Sequence, residues 1–259
     1  MKIMIGYSTI LAATSLAGVL VSQPAQDMKT SFIPTNEFFV GLDMSKTLDG
    51  GPYKGMKNPN YNRLVFLYGH QYDGSGEVPA SSSHFHSKGL LYYKGSKESA
   101  VLAPAGGNVL PESKTLLNLL PGSGSLSQYL VSGQEKVACA NLTLRTMSWL
   151  NRPGAKEWEK TCFKGWPEAG GSLVKARLVL EVVSLSNGLI LLKPDGTIAA
   201  AKYGDQVALG KGDFAFSPIF AVKKDAAPGP RSAHFLIRDV TGTHLESGVV
   251  EVRFHVGPQ

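Results

Sequence analysis

Three of the six histidines in this sequence, His70, His84 and His86, fall within residues 63–95, RLVFLYGHQYDGSGEVPASSSHFHSKGLLYYKG, and metal coordination is the chemistry that grouping offers. A neutral imidazole presents one ring nitrogen as a ligand, and zinc takes such nitrogens at about 2.0 to 2.1 Å. In an extended backbone His84 and His86 point the same way, with Cα atoms roughly 6 to 7 Å apart, while Phe85 points to the other side. Two rings so spaced can close around one Zn2+, and His70 would complete a three-histidine face. The fourth position is open to Asp73 or Glu77 from the intervening loop, to water, or to His234 if its strand neighbours Arg63–His70. Imidazole suits Cu2+ and Ni2+ as well as Zn2+, so the donor set leaves the physiological ion open.

The elements that must position these rings are strands. Leu64, Phe66, Tyr68 and His70 share one face of an almost wholly apolar run, and Asp73-Gly74-Ser75-Gly76 supplies a turn. Beyond His84-Phe85-His86, the β-formers of Gly89–Tyr93 suit a second strand. Further strands are expected at Glu37–Leu42, Asn141–Met147, Asp213–Val222, Ser232–Val240 and Gly248–Val256. Lys175–Leu185 and Gly188–Lys193 flank Ser186-Asn187 and read as a hairpin. Pro111–Leu120 is compatible with a short helix, but no long 3.6-residue period occurs. Many short strands with Gly and Pro punctuation indicate an all-β chain, an antiparallel β-sandwich with Greek-key-like connections.

Residues 1–25 read as a secretory signal, with Lys2 before an uncharged run from Ile3 to Val21 that Gly and Ser dilute below the hydrophobicity of a membrane anchor. Residues 26–259 then form a single periplasmic or secreted domain, long enough for a sizeable core, with no stable membrane anchor after cleavage. The formal charge of +6 is carried by scattered lysines and arginines, which argues against a nucleic-acid partner.

Cys139 and Cys162 are the two cysteines, and an even pair in an oxidising compartment favours a disulfide contributing on the order of 3 kcal/mol. Two buried thiols, or two metal ligands, are the alternatives. Trp149, Trp158 and Trp166 lie in and around that loop, where they could stack on a sugar ring or simply anchor the loop. No H-E-x-x-H, no G-x-S-x-G elbow, no phosphate loop and no dinucleotide fingerprint occurs, so no catalytic residues are assigned. His255 alternates with Glu251 and Arg253 on a solvated face, and His244 lies in a turn expected to be exposed.

Phe39-Val40-Gly41-Leu42-Asp43, Arg63-Leu64-Val65-Phe66-Leu67, His84-Phe85-His86, Asp225-Ala226-Ala227-Pro228-Gly229 and Glu246-Ser247-Gly248 together resemble, in order, a family of secreted proteins repressed by the zinc uptake regulator and best known in cyanobacteria. The resemblance implies a β-sandwich made when zinc is scarce, capturing or holding zinc outside the cytoplasm; a zinc transporter or receptor that could accept the metal is a partner the sequence does not identify. It carries over to His70, His84 and His86, and not to His234, His244 or His255. Members often end in a Pro-Glu-Pro sorting tail, where this sequence has Gly257-Pro258-Gln259, so surface attachment stays open.

Overall fold

The computed structural model describes residues 32–34, 37–72, 84–105, 108–110, 116–135, 139–163 and 173–258. Residues 1–25, Asp73, Glu77 and Trp166 lie outside that set. Among the described residues the regular structure is almost all β, arranged as several mainly antiparallel sheets with no closed barrel.

The sheet that carries the histidines is built on one long strand. β1 (Phe32–Pro34) and β2 (Phe38–Asp43) follow one another along one side of β3 (Arg63–Tyr72), antiparallel to it, and β4 (His84–Lys88) pairs with the other side. Beyond β2 the sheet continues through Leu144–Thr146, parallel to β2, to Ala215–Phe216. A second sheet runs from Gln206–Lys211 through Arg177–Leu185 and Gly229–Asp239 to Val250–Val256, edged by Val109–Leu110 and Leu117–Asn118. A third is centred on Ile219–Lys223 and Ile190–Leu192. Phe66 and Tyr68 from the first sheet, Phe235 and Phe254 from the second, and Phe220 from the third meet in one central core.

β2 and the Leu64–Tyr68 stretch of β3 are buried on both faces. The inner face feeds the central core, while Phe39, Val65 and Leu67 on the outer face pack under the 3-10 turn Met147–Asn151 and the helix α1 (Glu157–Phe163). A strand covered on both sides reads as a continuous apolar run instead of an alternating one, which is the pattern of Leu64–Tyr68. Val250–Val256 shows the opposite case: Val250, Val252, Phe254 and Val256 are buried, and Glu251, Arg253 and His255 alternate with them on the outer face.

Three expectations are corrected. Ser186-Asn187 does turn the chain, with Leu189 N–H donating to the Ser186 carbonyl at 2.9 Å, but the flanking strands enter different sheets. Both still deliver apolar side chains to the same core, Leu180 and Val182 from one sheet and Leu189 and Leu191 from the other, so the turn is a crossing between layers. Residues 116–121 are not helical: Leu117 and Leu119 are buried, and Leu119 N–H donates to the His255 carbonyl at 3.0 Å, so sheet pairing takes the backbone groups a helix would need. The cysteines are not joined. Cys139 packs in the central core, whereas Cys162, on α1, packs with Phe39, Val65 and Leu67 on the other face of the first sheet.

Candidate metal centre

β3 and β4 are in register so that His70 lies directly opposite His84, and Tyr68 opposite His86. Residues of one face recur every second position, so the three imidazoles and Tyr68 project together from the inner face of the sheet, at the end of the central core. Phe85 projects the other way. It does not enter the central core, as a sandwich with one buried face would require, but stacks on Phe163 of α1 with ring centroids 6.0 Å apart.

The ring nitrogens converge. His84 Nε2 lies 2.9 Å from His86 Nε2, His86 Nε2 lies 3.1 Å from His70 Nδ1, and all three atoms fall within 4.8 Å of one another. A ring nitrogen carries either one proton or one lone pair, so His86 Nε2 cannot make two linear hydrogen bonds to its neighbours at once. A cation accepting a lone pair from each ring satisfies all three. Tetrahedral zinc with bonds of about 2.0 to 2.1 Å needs its ligand nitrogens about 3.3 Å apart, so the two short separations must open by a few tenths of an ångström and the third, within 4.8 Å, must close towards the same value.

The walls hold this arrangement. Tyr68, itself edge-on to Phe38 at 5.7 Å, is stacked on His86 and edge-on to His70. His70 is 6 % exposed, whereas His84 and His86 are half-buried, so the group opens on the His84 and His86 side. Burial is the main reason the His70 imidazole is driven down to about 3, with the neighbouring His86, His84 and Lys88 charges adding to it. Its lone pair is therefore available throughout the neutral range, the state a metal ligand requires. Behind it, the Cys162 thiol donates to the His70 carbonyl oxygen at 3.6 Å, a sulfur-length contact that ties α1 to the back of β3.

The other candidates fall elsewhere. Asp73 and Glu77 lie outside the described residues. His234 is on the outer face of the second sheet, its Nδ1 2.9 Å from Ser184 Oγ and cross-strand from Glu251, so its strand does not bring it to the group. His244 is half-buried instead of exposed, because its Nδ1 lies 2.8 Å from Oδ1 of Asn62. Asn62 itself is held at φ 61 by a loop crossing 180 residues distant in sequence, which no local pattern announces. Trp149 and Trp158 pack against the cluster under α1, with the Arg145 guanidinium 4.0 Å over the Trp149 ring. Lys88 went unremarked in the sequence, although the alternation that aligns His84 with His86 places it next on the same face.

Among the described residues, the three histidines form a group able to hold a metal ion. No family model, no curated protein and no solved structure matches the chain.

Proposed function

We propose that the chain holds one Zn2+ on His70 Nδ1, His84 Nε2 and His86 Nε2 and serves outside the cytoplasm to capture or keep zinc, with no catalytic step of its own. The observation that carries this reading is the convergence of three ring nitrogens within 4.8 Å of one another on one face of β3 and β4. Zinc among the imidazole-binding ions is favoured by the resemblance to proteins made under zinc scarcity, and export by the composition of residues 1–25. The fourth ligand is water or a carboxylate of residues 73–83, and the recipient of the metal is a zinc transporter or receptor. The cross-strand pairing of His70 with His84 favours a second reading, in which the ion staples β3 to β4 inside a cell-surface binding module.

Isothermal titration of metal-stripped protein with Zn2+ at pH 7.5 tests the first reading. One equivalent is expected in wild type, and binding weaker by orders of magnitude in His70→Ala, His84→Ala and His86→Ala. Replacing His234, His244 or His255 by Gln is expected to leave the stoichiometry at one. A wild type that takes up no divalent metal, or that binds it as well without His84 and His86, overturns the assignment. Stripping the metal separates the two readings: a carrier stays folded without its ion, whereas a stapled module unfolds.

A further inference from the structure

The two-stranded ribbon Leu91–Lys94 and Val101–Pro104 stands apart from the three large sheets. It is nonetheless firmly attached. The Asn60 side chain imitates a strand partner, donating to the Leu91 carbonyl and accepting from the Leu91 N–H, both at 2.8 Å. Tyr53 Oη donates to the Gly95 carbonyl at 2.7 Å and Tyr93 Oη to the Lys57 carbonyl at 3.0 Å, with the two rings 5.5 Å apart. Lys97 Nζ reaches the Lys54 carbonyl at 2.8 Å, so the ribbon and residues 46–57 form one platform.

Its surface has two unusual properties. Val101 and Leu102 are 61 % and 53 % exposed, adjacent in sequence and therefore on opposite faces of the ribbon, so both sides of its outer strand are greasy. Around them Lys46, Lys54, Lys57, Lys94 and Lys97 are all exposed, against the two carboxylates Asp49 and Glu98, and none of the five lysines is ion-paired with a described residue.

We propose that this platform docks the protein on an anionic lipid bilayer, Val101 and Leu102 entering the headgroup region while the lysines meet the lipid phosphates. Aliphatic side chains at the tip give a bilayer something to bury, whereas a nucleic acid or a sugar polymer would call for free aromatic faces. Here the Tyr53 and Tyr93 rings are spent on each other, the Tyr92 ring has the Lys94 ammonium 5.4 Å over it, and a tyrosine is at home at headgroup level. No helix among the described residues is long and apolar enough to cross a membrane. The ribbon joins β3 at the Asn60–Arg63 end, and His70 lies near the other end, about 23 Å away at about 3.3 Å per residue. Docked this way, the protein turns its histidines away from the bilayer. Docking is independent of metal binding.

Vesicle sedimentation of the full chain tests this, comparing phosphatidylglycerol–phosphatidylcholine vesicles with pure phosphatidylcholine. Greater binding to the anionic vesicles is expected, lost in 1 M salt. Lys54→Glu combined with Lys94→Glu, and separately Val101→Ser combined with Leu102→Ser, should each lower the anionic binding at least about tenfold. A polarity-sensitive dye on Leu102→Cys should shift to the blue on anionic vesicles, and the same dye on Ile198→Cys, exposed on another sheet, should not. His84→Ala should dock like wild type, so loss of metal and loss of docking are read separately. Equal binding to both vesicle types, an unmoved dye at position 102, or serine variants that dock as wild type while soluble dextran sulfate competes, would each overturn the proposal.

Discussion

Tyr68 lies face to face with His86, ring centroids 5.1 Å apart and planes 12° from parallel, and so fixes the plane of an imidazole whose Nε2 stands between the other two nitrogens. Tyr68 is 2 % exposed and cannot move aside without disturbing Phe38. Tyr68→Phe keeps the wall and is expected to bind zinc as wild type does. Tyr68→Leu removes it, and zinc affinity should drop by about tenfold or more, as for other groups that orient a ligand. Titration of the two variants side by side decides it, since equal affinities would leave the ring without a positioning role.

The metal-free protein should lose stability as acid is added, over a definite window. The folded His70 takes up its proton only near 3, and the unfolded imidazole does so near 6.5. Between those values the unfolded state binds more protons, so stability rises with pH and is lost as pH falls below about 6.5. Urea midpoints measured at pH 7.5, 6.0 and 5.0 should decrease in that order. His70→Asn, which cannot titrate there, should flatten the series.

Alkylation of the denatured, unreduced protein should label both Cys139 and Cys162. In the folded protein burial pushes Cys139 up to about 12, and burial with the Glu159 charge pushes Cys162 up to about 11, so labelling should be very slow. Mass spectrometry that found neither thiol modified after denaturation would restore the bridge.

Gly248 lies against Gly89, which adopts φ 79, and its N–H donates to the Gly89 carbonyl at 2.6 Å. A Cβ at 248 would come 2.9 Å from that same oxygen, backbone that cannot swing away. Gly248→Ala should therefore cost about 1 to 3 kcal/mol of folding stability. Zinc stoichiometry should stay unchanged, because this contact lies beyond Lys88, at the far end of β4 from His84. A melting temperature equal to wild type would contradict the close approach.

Where a residue's setting depended on alternation along one strand, the sequence was enough. His84 and His86 share a face with His70 because two-residue periodicity holds through β3 and β4, and the same rule put His255 outside and Val250, Val252, Phe254 and Val256 inside. Where it depended on a partner far along the chain, the sequence was silent. Leu117 and Leu119 could not reveal that Val250–Val256 would pair with them, nor His244 that Asn62 awaited it. An even cysteine count carries no statement of which side of a sheet each thiol faces. That Phe85 points away from His84 and His86 was legible, but nothing near it foretold that α1, more than seventy residues on, would cover that face.

The parallel pairing of β2 with Leu144–Thr146 has a temporal side. Phe38 finds Leu144 only after more than a hundred residues have been made, and Val109–Leu110 waits for Val250–Val256 near the end of the sequence. Chains dominated by such distant pairings fold slowly, because the loop must close before the contacts reward it. β3 and β4, by contrast, are consecutive strands separated only by residues 73–83, so the histidines can gather while the layers above and below are still absent. An ion that met the chain at that moment would act as a nucleus, and the order of assembly would run from the ligands outward.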